Sequence, residues 1–149
     1  LDYADSVNQM KKAFSVLDEG KVACNNDLLA ANFIDDGQKI WLIDYEYSGN
    51  NDACFELGNI YSESNLSYDQ LIELVDSYYG KHRPEKVARA WLYALLARYG
   101  WTLWASIQNS VSDIDFNFWD WGMQKYEVAM KDFKSVEFKN ALNTVTQKS

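Results

Sequence analysis

Several things are scarce in this sequence, and each scarcity closes off a class of protein. Cysteine occurs twice, as Cys24 and Cys54, and histidine and proline once each in 149 residues. Two cysteines in apolar contexts, with no signal-like start, exclude a disulfide-stapled secreted scaffold. They read as reduced thiols of an intracellular, cytoplasmic protein, with no bridge expected. Basic residues are outnumbered, with 14 Lys and Arg against 22 Asp and Glu and a net charge of -8. That balance disfavours a sequence-independent grip on nucleic acid and makes a cationic ligand the easier partner. No long hydrophobic run survives either. The longest, "AWLYALLARYGWTLWASI", is interrupted by Arg98 and Gly100, which suits a buried helix, and no membrane span is expected.

What is present fits one compact domain over residues 1–149, since the chain suffices for one sizeable core and is short for two. Hydrophobic residues at 48% and charged residues at 24% are ordinary globular usage. Aromatic residues, at 15% with six Trp and ten Tyr, exceed what such a core needs, so some are expected to line a site. The chain opens at Leu1, without an initiator Met, and is expected to be one piece of a longer protein.

Val7, Met10, Phe14 and Leu17 recur at helical spacing in residues 3 to 18, and Gly20 stands where that helix would stop. Residues 21 to 31 read as a loop. "NFID", "DG" and "KIWLID" then spell a hairpin, its second strand an apolar run expected to be buried. Beyond Gly49 the pattern turns helical, with helices expected at 52–63, 67–80, 84–108, 116–132 and 135–147. Pro84 suits the first position of the longest. The fold class is therefore mainly α with a small β-hairpin.

Phosphoryl transfer needs a carboxylate to orient or deprotonate the acceptor and oxygen ligands that hold Mg²⁺ against nucleotide phosphates. Asp27 lies in the irregular loop, Asn32 follows five positions later at the start of the hairpin, and Asp44 ends the strand "IWLI". A hairpin folding back on itself brings position 32 near position 44, with Asp27 beside both. Each residue taken singly is an ordinary turn former. The combination D-x4-N, apolar strand, I-D-x-E is the stronger signal.

"CNNDLLAANFI" and "WLIDYEYSGNNDACFELGNIYSE" resemble the catalytic loop and metal-binding segment of the choline and ethanolamine kinases, relatives of the aminoglycoside phosphotransferases with the protein-kinase-like fold. The likeness continues through "WTLWASIQNSVSDIDFNFWDW" and covers residues 20 to 133. It implies the carboxy-terminal lobe of that fold, with Asp27 as the catalytic residue, Asn32 and Asp44 as magnesium ligands, and Asn25 and Glu46 supporting the site from behind. ATP and Mg²⁺ are the implied cofactors. There are two departures. The family's loop usually reads His-Asn-Asp where this chain has Asn25-Asn26-Asp27, so the brace a His ring gives is replaced by an amide and activity is expected to fall. No G-x-G-x-x-G occurs among the seven glycines and no nucleotide-contacting strand Lys is found. The amino-terminal lobe is thus expected to be missing, and the isolated lobe is expected to be inactive or nearly so, and to self-associate through the surface its other half would cover.

A quaternary ammonium donates no hydrogen bond, so its site relies on aromatic faces and nearby carboxylates. Trp101 and Trp104 share a helix face, and Phe116, Phe118 and Trp121 cluster after "SVSDID". On spacing alone such aromatics are more often core. By the resemblance they wall a choline pocket, with Glu63 supplying negative charge. Phe118 and Trp121 stand where relatives offer Tyr, so hydroxyl contacts are lost and choline is favoured over ethanolamine. Ethanolamine, an aminoglycoside or another amino alcohol is the rival acceptor, and a non-catalytic cation- or partner-binding module is the rival class. His82 in "GKHRPEK" reads as a surface turn residue, and Asp52 and Glu56 as helix-start acids that cap or complement a dipole. Cys24 reads as a small packing residue.

Overall fold

A computed structural model describes residues 3–16 and 18–147. Its elements in chain order are helix α1 (Ala4–Phe14), strand β1 (Val22–Cys24), a 3-10 turn (Ala30–Asn32), strands β2 (Phe33–Asp35), β3 (Ile40–Leu42) and β4 (Gly49–Asn51), and helices α2 (Ala53–Glu63), α3 (Tyr68–Tyr79), α4 (Pro84–Val111), α5 (Phe118–Phe133) and α6 (Val136–Thr146).

The 28-residue α4 is the axis against which α2, α5 and α6 pack. Its first half buries Val87, Ala90, Trp91, Leu92, Ala94 and Leu95, and the shared core takes Met10 of α1, Leu71 and Val75 of α3, and Phe138 and Val145 of α6. Small residues set the spacing. A Cβ placed on Gly58 of α2 would stand 2.3 Å from the Ala90 carbonyl oxygen, so α2 reaches α4 only because that position is bare. Gly122 of α5 does the same against Ala105, where a Cβ would come within 2.7 Å.

The helix starts follow local chemistry. Asp52, Ser67, Asn117 and Ser135 each accept a first-turn backbone N–H, and Ser67 with Gln70 completes a reciprocal capping box. Gly80, at φ 70°, closes α3 in the left-handed region. Pro84 opens α4 as expected.

Four expectations need correction. The first helix ends at Phe14, well before Gly20, and Leu17 lies outside the described residues. Residues 22–24 are a strand within the expected loop, pairing antiparallel with 49–51 in a second two-stranded sheet. Neither "VAC" nor "GNN" carries a strand signature, because partners 27 residues apart, such as Ala23 and Asn50, owe their pairing to tertiary context. The β2–β3 hairpin forms as expected, with Phe33 opposite Leu42 and Asp35 opposite Ile40. Its second strand is not buried: Ile40, Trp41 and Ile43 are exposed, because no described element packs over them. Finally, α4 runs on to Val111 and α5 begins at Phe118, leaving Phe116 in the connecting loop.

Cys24 and Cys54 are buried free thiols, each pushed up to about 11 by burial. Among the described residues no helix is long and apolar enough to cross a membrane.

Candidate active site

The loop between β1 and the 3-10 turn is held by side chains that bond backbone. Asn25, Asn26 and Asp27 follow one another there, and Asn26 sits at φ 67°, a left-handed conformation that Asn tolerates. The Asn25 side chain spans the site: its Oδ1 accepts from the Asp27 N–H at 2.9 Å, and its Nδ2 donates to the Asp44 carbonyl at 2.7 Å. Asn26 donates through Nδ2 to the Tyr47 carbonyl at 2.9 Å and accepts from Asn51 Nδ2 at 2.9 Å. Glu56 of α2 reaches under the loop, where Oε1 accepts from the Asn25 N–H at 2.5 Å and Oε2 from the Asn26 N–H at 3.0 Å. Asn59, one turn further along α2, donates to the Asn26 carbonyl at 3.1 Å.

The same wiring gathers the three oxygen-bearing residues. Asn32 Nδ2 donates to the Asp27 carbonyl at 3.0 Å, so its Oδ1 is the atom that could face a cation, and the Ile43 N–H donates to the Asn32 carbonyl at 3.0 Å. Asp44 follows Ile43 at φ 62°. Positions 27, 32 and 44 are thus tied to one another by the Asn25 and Asn32 amides and one hairpin bond. Asp27 is buried, and its carboxyl is held above the usual Asp range, first by burial and then by the charges of Asp44, Glu63 and Glu46.

Among the described residues neither Asp27 nor Asp44 enters an ion pair, and no three His, Cys, Asp or Glu side chains converge on one metal point. Asn32 Oδ1 and the Asp44 carboxylate are the oxygens that could hold a cation here. That fits a hard cation taking few protein ligands and completing its shell with water and phosphate oxygens, as Mg²⁺ does.

Beside this cluster lies a cavity of about 330 Å³ lined by Asp27, Leu29, Glu46, Tyr47, Trp101, Trp104, Phe116, Phe118 and Trp121. Its rings meet edge to face: Trp101 and Trp104 at 5.6 Å between centroids, Trp104 and Trp121 at 6.0 Å, and Phe116 and Phe118 at 4.9 Å. All five aromatic residues singled out in the sequence therefore meet around one space, with Asp27 and Glu46 in its wall. Glu63 does not line it. Its carboxylate accepts both-handed from Lys125 Nζ, at 2.8 and 2.9 Å, in a neighbouring cavity, and its charge is already matched there.

Glu56, read from the sequence as a helix-start acid complementing a dipole, instead clamps the Asn25–Asn26 backbone; these partners lie about 30 positions upstream and leave no local trace. Asp52 does cap α2, yet it also holds the buried Arg89 side chain, at 2.5 Å to Nη2 and 2.9 Å to Nε. His82 is exposed and pairs with Asp76 at 2.9 Å, outside the site.

The sequence model of the Choline/ethanolamine kinase family matches residues 1–81. Ethanolamine kinase 2 of Homo sapiens is 33% identical over 130 residues, a match covering 73% of this chain and 34% of that protein. A choline/ethanolamine kinase family protein from Mesorhizobium loti superposes with a TM-score of 0.90 at 28% identity, covering 97% of this chain and 50% of that one. The choline kinase LicA from Streptococcus pneumoniae does so with a TM-score of 0.72 at 26% identity, covering 89% and 46%. The chain thus spans between a third and a half of the length of these relatives. The fold, helical with small antiparallel sheets, is the protein-kinase-like one of these enzymes, and the chain belongs to the choline/ethanolamine kinase family.

Proposed function

We propose that this chain is the carboxy-terminal lobe of an ATP-dependent kinase that phosphorylates the hydroxyl of an amino alcohol, with choline the favoured acceptor. One observation carries the reading: Asp27 and five aromatic rings line a single cavity. An acceptor whose cationic head rests on the rings presents its hydroxyl, a short two-carbon reach away, to the Asp27 carboxylate.

In that reading the acceptor oxygen bonds to the γ-phosphorus, the bond from that phosphorus to the β-bridging oxygen breaks, and the hydroxyl proton passes to Asp27. A carboxyl with its proton affinity already raised by burial and by Asp44 is suited to receive it. Asn32 Oδ1 and Asp44 would hold Mg²⁺, which when bound neutralises charge on the phosphate oxygens. Asn25 fixes Asp27 relative to Asp44, taking over by two amide hydrogen bonds the brace that a His gives elsewhere in the family. Glu46 stands in the cavity wall, adding negative charge beside the head group. The rings offer π faces and no hydroxyls at positions 116, 118 and 121, which suits a methylated ammonium. Ethanolamine is the second reading, favoured because several curated relatives carry that name.

The nucleotide-covering lobe would come from sequence outside this chain, so this lobe alone should turn over negligibly. The test is a steady-state assay of the full-length protein with choline and ethanolamine as competing acceptors. Higher kcat/KM for choline, with turnover abolished by Asp27→Ala in a folded protein, supports the reading. Substantial activity in Asp27→Ala removes Asp27 from its role.

A further inference from the structure

The aromatic cavity shares a wall with a second, more polar one of about 480 Å³, lined among others by Ser62, Glu63, Arg98 and Lys125. Trp121 and Leu29 border both spaces. On the polar side a cation is already in residence. Lys125 Nζ lies 2.8 and 2.9 Å from the two Glu63 oxygens and 4.6 Å from the centroid of the Trp121 ring. The Glu63 side chain is only 4% exposed and that of Lys125 16%, so the pair is largely buried.

From this juxtaposition we infer that Lys125 is a specificity-determining residue, which withholds the Glu63 carboxylate from the head group and thereby selects methylated over primary ammonium acceptors. The inference rests on the amino-alcohol reading above. A trimethylammonium has no N–H to satisfy and is served by the ring faces and the diffuse charge of Asp27 and Glu46. A primary ammonium carries three donors, and each must find an acceptor once it leaves water. In the cavity wall Asp27 is committed to the hydroxyl and Glu46 is exposed, so the further acceptor is Glu63, beyond the Trp121 wall, and both its oxygens are taken. To use it, a primary ammonium must displace Lys125, which would then be a buried cation without its partner.

The experiment measures choline and ethanolamine affinity by tryptophan fluorescence, alongside kcat/KM for both, in full-length wild type, Lys125→Met, and Lys125→Met combined with Glu63→Gln. Freeing one charged acceptor is expected to shift the choline-to-ethanolamine ratio about tenfold towards ethanolamine in Lys125→Met, the size of one charge-assisted hydrogen bond. The double variant, with no carboxylate to offer, should return to the wild-type ratio. Lys125→Leu serves in the same way if Lys125→Met does not fold. A ratio within twofold of wild type in a folded single variant, or a shift that survives Glu63→Gln, overturns the role of Lys125 and leaves the kinase reading standing. If wild type binds neither amine, the amino-alcohol reading itself falls and the role of Lys125 with it.

Discussion

The carboxylate of Glu56 accepts from the backbone N–H groups of two consecutive residues, Asn25 at 2.5 Å and Asn26 at 3.0 Å, and so pins the loop that carries Asp27 to helix α2. The left-handed turn at Asn26 is thus braced by a single carboxyl group. Glu56→Gln turns one accepting oxygen into an NH₂ that faces an N–H donor. It is expected to lower stability by about 2–3 kcal/mol, with Glu56→Ala at least as costly. Denaturant unfolding of the variants checks this, and a change under about 0.5 kcal/mol would remove Glu56 from its clamping role.

Gly58 lies where α2 meets α4, with the Ala90 carbonyl 2.3 Å from where its Cβ would be. Backbone, not a flexible side chain, is the obstacle, so the helices must part. Gly58→Ala should cost about 3 kcal/mol despite its better helix propensity, read as a lower denaturant midpoint. A stabilised variant would show that the two helices are not so close.

The raised proton affinity of Asp27 has a stability consequence of definite sign. The folded state holds this proton more tightly than the unfolded chain, so stability falls as pH rises from the ordinary Asp value of 3.8 through the folded value. Without divalent ions, Asp27→Asn should therefore be more stable than wild type at neutral pH. The difference should vanish once the pH is below the ordinary Asp range. Thermal melts of both proteins across that range test it, and a variant less stable than wild type at neutral pH contradicts it.

Much of this architecture was legible before any coordinates. Five helices begin and end close to where capping and spacing put them, because Ser67, Pro84 and Gly80 act on their own neighbours. The β2–β3 hairpin was legible for the same reason, its Asp-Gly turn joining adjacent strands. The pairing of "VAC" with "GNN", the reach of Glu56 to Asn25 and the capture of Glu63 by Lys125 were not. Each joins residues 25 to 62 positions apart, and neither partner's local sequence records the other. Exposure of the Ile40, Trp41 and Ile43 strand was likewise missed, since an apolar run reads as buried whether or not this chain supplies its cover.

That exposed strand, with Ile34 on its partner, makes self-association the expectation for this lobe in isolation. Light scattering over a range of concentrations should show a mass rising above the monomer, and Trp41→Lys with Ile43→Lys should reduce the rise. A strict monomer at every concentration would contradict it.

Asp27, Asn32 and Asp44 are tied together by hydrogen bonds next to the aromatic cavity, and the proposed kinase role requires a divalent ion to bind there. The most direct test is a crystal structure of the full-length protein with Mn²⁺ in place of Mg²⁺ and a non-hydrolysable ATP analogue, read by the anomalous signal of the metal. The account predicts a peak bonded to Asn32 Oδ1 and an Asp44 carboxylate oxygen, with the γ-phosphate turned towards Asp27. Metal and phosphates bound away from Asn32 and Asp44 would contradict it.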